Sequence, residues 1–172
     1  MKNVSKQLFL PMLLLCGLPS FSATACAILT KEGAAERHQQ YREEFKKAAS
    51  AIKEEADLVF VGRLSKLTFS KDTVKSPSGQ EQILQTHQAI FSVDQAIKGQ
   101  YMNGQVLEYT INKNRITIGC TKPFIQFPKE TGTGETYLVY AKEGKILRTN
   151  HIPNDAQVLS GREEAAFIGE QQ

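Results

Sequence analysis

The residues able to do chemistry in this 172-residue chain are few: three histidines, three cysteines and a scatter of 18 acids. His38, His87 and His151 stand far apart, and no two share the spacing of a metal-binding pair on a helix or a hairpin. No nucleophile motif accompanies them, and the aspartates and glutamates form no recognisable acid/base pair. The residues therefore predict a non-enzyme without a cofactor. His38 is expected on the packed face of a helix, His87 as a polar strand residue and His151 in a loop.

The cysteines carry more information, because the first segment has the three parts of an export signal. Lys2 and Lys6 give the positive start. Leu8 to Leu18 is an apolar run interrupted by Pro11 and shorter than the ~20 residues of a spanning helix. Ala23-Thr24-Ala25 supplies small residues at the first and third places before a cut. The expectation is a signal peptide over residues 1–25, an exported mature domain over residues 26–172 in the periplasm or outside the cell, and no transmembrane segment. Cys16 leaves with the signal. Cys26 and Cys120 remain in an oxidising compartment, where two cysteines can form one bridge. Two free thiols, or Cys26 as the acylated first residue of a lipoprotein, are the other readings of the same residues.

Removing residues 1–25 leaves 147 of 172 residues and takes two lysines from 21 basic residues, so 19 bases face 18 acids and the net charge falls from +3 to +1. No basic stripe interleaved with aromatics remains, which argues against a nucleic-acid partner. A chain of this length builds one domain with one core.

The positioning elements follow from periodicity. Ala34, His38, Tyr41, Phe45, Ala48, Ala49 and Ile52 recur every three or four residues and predict an amphipathic helix over 34–56, with Glu43 and Lys47 spaced for pairing on its solvated face. Leu58 to Val61 reads as a buried strand, Gly62 as a bulge, and Leu64 to Phe69 as its continuation. Ser76-Pro77-Ser78-Gly79 closes a hairpin with Ile83 to Val93. Ile97-Lys98-Gly99 opens a loop that contains Asn103-Gly104. Val106 to Ile111 and Ile116 to Ile118 are further short strands. Pro123, Pro128, Gly132 and Gly134 mark a long loop, and Thr136 to Ala141 and Ile146 to Thr149 flank the turn Glu143-Gly144. Asn154 or Asp155 would cap a helix over Ala156 to Ile168, weakened in its middle by Gly161. Phe60, Phe91, Val139, Tyr137 and Tyr140 are assigned to the core. Together these predict a mainly β protein: a small barrel of five to six strands with an N-terminal amphipathic helix and a short C-terminal one. A flat two-layer sheet is the competing architecture.

The ordered pieces resemble a family. Cys26, then Ala56-Asp57-Leu58-Val59-Phe60-Val61-Gly62, Phe91-Ser92-Val93 with Ile97-Lys98-Gly99, Cys120 and Phe124, Gly134-Glu135-Thr136-Tyr137-Leu138-Val139-Tyr140-Ala141, and Gly144 with Leu147-Arg148-Thr149 follow the pattern of the netrin-like OB-fold domain. This is the domain of the tissue inhibitors of metalloproteinases and their bacterial relatives. The resemblance implies a disulfide between Cys26 and Cys120. It also implies a partner zinc metalloprotease, whose metal the α-amine and carbonyl of Cys26 would chelate, with Ala27 as the residue entering the cleft. The family usually opens Cys-x-Cys. Here Ile28 and His151 stand where a second bridge would join, so both halves of that bridge are missing together. Another envelope or extracellular protein is the alternative partner, and the oligomeric state is not legible.

Overall fold

The computed structural model describes residues 31–114, 123–152 and 158–170. Cys26, Ala27 and Cys120, the strand expected at Ile116 to Ile118, and the capping residues Asn154 and Asp155 lie outside them.

Helix α1 (Lys31–Glu55) forms where the 3.6-residue stripe predicts it. Phe45, Ala49, Ile52 and Ala56 are buried at intervals of four, three and four. Further up the helix the stripe is no longer buried: Ala34 and His38 are exposed, as is Tyr41. The expectation that His38 packs on the barrel is thus overturned. A helix of 25 residues is about 37 Å long at 1.5 Å per residue, and its burial is confined to the half from Phe45 onward. Glu43 pairs with Lys46 at 3.0 Å, at i,i+3, one residue short of the expected Lys47. At the other end Lys98 Nζ donates to the carbonyls of Lys53 and Glu54, satisfying acceptors that a helix terminus leaves open.

Strands β1 (Leu58–Lys75) and β2 (Glu81–Lys98) form one long hairpin. It turns at Ser76 to Gly79, where Gly79 adopts φ +80. Register shifts fall at three places in β1, one of them between Val61 and Gly62 as the glycine predicts. Both strands outrun the expectation: β1 passes Phe69 to Lys75, and Ile97 belongs to β2 instead of opening a loop. Strand β3 (Leu107–Asn112) pairs with β2. Strands β4 (Thr136–Lys142) and β5 (Lys145–Ile152) make the second hairpin around Glu143 and Gly144, both at positive φ as a two-residue turn requires. His151 therefore sits on a strand, not in a loop. β4 pairs with β1, and β3 meets β5 in parallel at Glu108 and Lys145. The sheet closes in the order β1-β2-β3-β5-β4, which excludes the flat alternative and is the arrangement of a small Greek-key barrel of the OB type.

Helix α2 (Gly161–Gly169) starts later than Asn154 or Asp155 would have set it. Ser160 caps it, accepting from the Glu163 amide while the Glu163 carboxylate accepts from the Ser160 amide. Gly161 is consequently at the first turn and not mid-helix. A Cβ there would lie 2.6 Å from the His151 carbonyl oxygen, so only glycine lets α2 sit this close to β5.

The core has two parts. Phe60, Phe91, Tyr137 and Val139 fill the barrel with Leu64, Leu107 and Tyr109. Tyr140, Leu138 and Val59 point outward and are covered by Ala49, Ile52 and Ile168 of the two helices. The core assignments made from the sequence hold at all five positions.

Candidate functional site

The alternation of β2 turns Gln85, His87, Ala89 and Phe91 into the barrel, where all four are buried. Two of these are polar. Cross-strand register then places Phe69 opposite His87 and His87 opposite Tyr109. The rings stack into a column: Phe69 to His87 at 5.4 Å, His87 to Tyr109 at 4.5 Å and nearly parallel, Tyr109 to Phe127 at 4.8 Å and nearly parallel. Phe69 at the outer end is half exposed.

His87 has no exposed surface, and neither of its ring nitrogens has a hydrogen-bond partner; the Oε1 of Gln85 is likewise unpartnered. Buried polar atoms left without partners cost free energy, so three in one place mark a site not built for stability alone. Gln85 Nε2 donates to Glu130 Oε1 at 3.3 Å, and the same oxygen receives Lys113 Nζ at 2.7 Å. Burial pushes the His87 pKa below its ordinary value against the pull of the Glu130 charge, and Lys113 pushes it the same way as burial. The imidazole is therefore neutral at physiological pH, with one donor and one acceptor nitrogen.

Above this column the β1–β2 hairpin becomes an arm. β4 accompanies β1 only as far as Arg63, and the last backbone hydrogen bonds across that edge among the described residues are made by Leu64, with Glu135 and Gly134; Leu67 still packs on the barrel core, and β2 stays paired with β3 as far as Leu84. From Lys66 to Lys75, β1 is paired with β2 alone among the described residues. The arm face that continues the barrel interior carries Phe69 and Ile83, both more than two-fifths exposed, and Val74 is exposed on the other face.

Two further polar clusters lie elsewhere. Glu135 Oε2 accepts from the Tyr137 hydroxyl at 2.8 Å and lies 3.2 Å from His151 Nε2. Burial, with the Glu135 hydrogen bond and charge added, holds the Tyr137 phenol well above its usual range. On the opposite side of the sheet Arg148 and Glu164 form a buried ion pair joined by Tyr140 and Asn150. A cleft of about 640 Å³ runs between α2 and the barrel wall, past Val61, Gln95, Arg162 and Glu170.

Of the sequence's candidate residues, the three histidines stand apart in the structure. Cys26, Ala27 and Cys120 lie outside the described residues, and the three histidines are on α1, β2 and β5. The column at His87 went unrecognised, although Gln85-x-His87-x-Ala89-x-Phe91 carries the signal: strict alternation sends two polar side chains to an apolar face. Among the described residues no group of three or more His, Cys, Asp or Glu side chains could hold a metal, and no helix is long and apolar enough to cross a membrane. Comparison of the chain with models of protein families, with curated proteins and with solved structures gives no match in any of the three.

Proposed function

We propose that this protein is an exported, non-catalytic binding module that engages another protein through the arm and the barrel mouth beneath it. The observation that carries the reading is the arm itself. Strand β1 runs past β4 with one edge free, backed by β2 and, as far as Leu84, by β3, and it carries half-exposed Phe69 on the same face as Ile83, above an interior that already holds unpartnered polar groups. Apolar side chains on a stiff, preorganised ladder lose little entropy on association. A photo-activated crosslinking side chain at Ile83 is expected to yield a heterologous adduct, and one at exposed Met102, on the β2–β3 loop, to yield none. Equal labelling at both places would defeat the proposal.

The resemblance to metalloproteinase inhibitors gives this module a specific form. The Cys26 α-amine has a reference pKa of about 7.7 to 8.0 and can lose its proton near neutral pH. Catalytic zinc keeps a position open for such a ligand. A Cys26 to Cys120 bridge would hold that terminus; it closes a span of 120 − 26 = 94 residues, for which chain entropy gives at most about 4 to 5 kcal/mol. Mature protein beginning at Cys26 is expected to inhibit a zinc endopeptidase, and the same protein extended by one alanine is expected to fold without inhibiting. If the two are equally inactive across a panel of such enzymes, the inhibitor form fails and the general binding reading stands.

A further inference from the structure

We propose that the free edge of the arm is a self-recognition site, on which a second copy of this chain pairs antiparallel with its own β1 across a twofold axis at Phe69. An open strand edge presents unpaired N–H and C=O groups and is a template for another strand. In β1 that edge begins past Leu64 and runs to Lys75, paired with β2 alone among the described residues.

The side chains select both the partner and the register. A twofold axis normal to the sheet keeps each face on its own side, so residues opposite one another must both come from the inner set or both from the outer set. Leu67, Phe69 and Lys71 pair with inward-turned Ala89, His87 and Gln85 and form the inner set; Lys66, Thr68, Ser70 and Asp72 form the outer set. With Phe69 on the axis, its half-exposed ring meets its own copy, Lys66 comes opposite Asp72 twice over, Thr68 comes opposite Ser70, and Leu67 comes opposite the aliphatic stem of Lys71. Neither Lys66 nor Asp72 has an ion-pair partner within the chain among the described residues. Axes on the neighbouring residues lose this match. One through Ser70 puts Asp72 opposite Thr68 and Lys71 opposite Phe69. One through Lys71 sets two ammonium groups face to face. Opposite charges and aromatic pairs directly across a ladder stabilise it, and like charges there oppose it. The lysines that guard the edge against other strands thus make it complementary to itself.

The dimer merges the two Phe69-bearing faces into one surface, but it does not rest on the proposed partner and is measured without one. Sedimentation velocity of the mature protein should show a monomer–dimer equilibrium between about 10 μM and 1 mM, weakening as salt rises. Lys66→Asp and Asp72→Lys should each weaken the dimer about tenfold or more, because each converts two attractive pairs into two repulsive ones. The double variant Lys66→Asp/Asp72→Lys should return to within about threefold of the parent. Circular dichroism of each variant checks that the barrel is intact. A parent that stays monomeric throughout overturns the proposal. So do folded single variants that dimerise as well as the parent, or a double variant that fails to recover.

Discussion

Replacing Glu164 by alanine tests how α2 is held to the barrel. The Arg148 and Glu164 side chains have no exposed surface. The carboxylate accepts four hydrogen bonds: two from the Arg148 guanidinium, one from the Tyr140 hydroxyl at 2.6 Å and one from Asn150 Nδ2 at 2.6 Å. Arg148 is otherwise left with Nε on the Phe124 carbonyl and with its guanidinium facing the Phe124, Phe45 and Tyr140 rings, the nearest at 4.1 Å. Removing Glu164 strands that charge in a dry site, for which breaking a buried pair costs about 3 to 5 kcal/mol. The orphaned Tyr140 hydroxyl pulls the cost toward the upper end, since an unmade buried hydrogen bond costs about 1 to 3 kcal/mol. Against a total stability of about 5 to 15 kcal/mol for a domain of this kind, that is a large share. At about 3 °C per kcal/mol, Tm should fall by about 10 to 15 °C. The chain has no tryptophan, so urea and thermal unfolding are best followed by far-ultraviolet circular dichroism. The double variant Arg148→Met/Glu164→Leu should regain most of the loss, because an apolar pair of similar volume escapes the desolvation cost of both charges. A loss below about 1 kcal/mol in Glu164→Ala would refute the reasoning by showing that water reaches the guanidinium.

Three other outcomes follow from the same geometry. His87 has a pKa below its ordinary 6.5, so the unfolded chain takes up the proton first as pH falls. Stability is then full above about pH 6.5 and declines below it; His87→Phe should flatten the fall in urea midpoint between about pH 6.5 and 5.5, and an unchanged slope would place the titration elsewhere. Phe60→Ala and Phe91→Ala should each cost about 3 to 5 kcal/mol in thermal melts. Their rings touch edge-on at 5.5 Å, so the double variant should depart from the sum by about 0.5 kcal/mol or more. Gly99→Ala should cost clearly more than Gly104→Ala although both glycines have positive φ: a Cβ at Gly99 would lie 2.2 Å from the Asp57 carbonyl oxygen, and one at Gly104 meets nothing within 4 Å. Matched melting temperatures would disprove the close approach of the β2–β3 loop to the α1–β1 turn.

The barrel was legible because its strands face two environments. Leu58 to Val61, the alternation through Phe91 and the run from Tyr137 to Ala141 each carry the period of a half-buried or fully buried strand, and the glycine turns between them set the hairpins. Legibility ended where an element has no core to face. The segment from Ser70 to Lys75 is polar on both sides except for Val74, so no apolar alternation in it announces that its partner strand holds it extended. His38 follows the stripe of α1 beyond the point where its burial stops, and periodicity cannot register the loss of the surface it would pack on. At α2 several local caps competed, and the box formed by Ser160 and Glu163 won because it adds a reciprocal hydrogen bond and lets Gly161 touch β5. Nothing in the sequence around Arg148 or Glu164 marks either charge as buried. Their burial depends on a partner from another element, which no local window contains.

The two buried polar groupings separate by how completely they are answered. Around Arg148 and Glu164 the two charges answer each other and are hydrogen-bonded, and in that grouping Asn150 Oδ1 alone lacks a partner among the described residues. That pattern specifies how the helices seat on the sheet. Around His87 three buried polar atoms are unanswered while the ring is clamped between aromatic faces. A domain selected for stability alone would place leucine or phenylalanine there. The cost is borne at the base of the arm, directly under Phe69, where the sheet stops being a barrel and becomes a surface. Burial and exposure therefore meet along one strand pair, with His87 fully buried and Phe69 half exposed on facing positions.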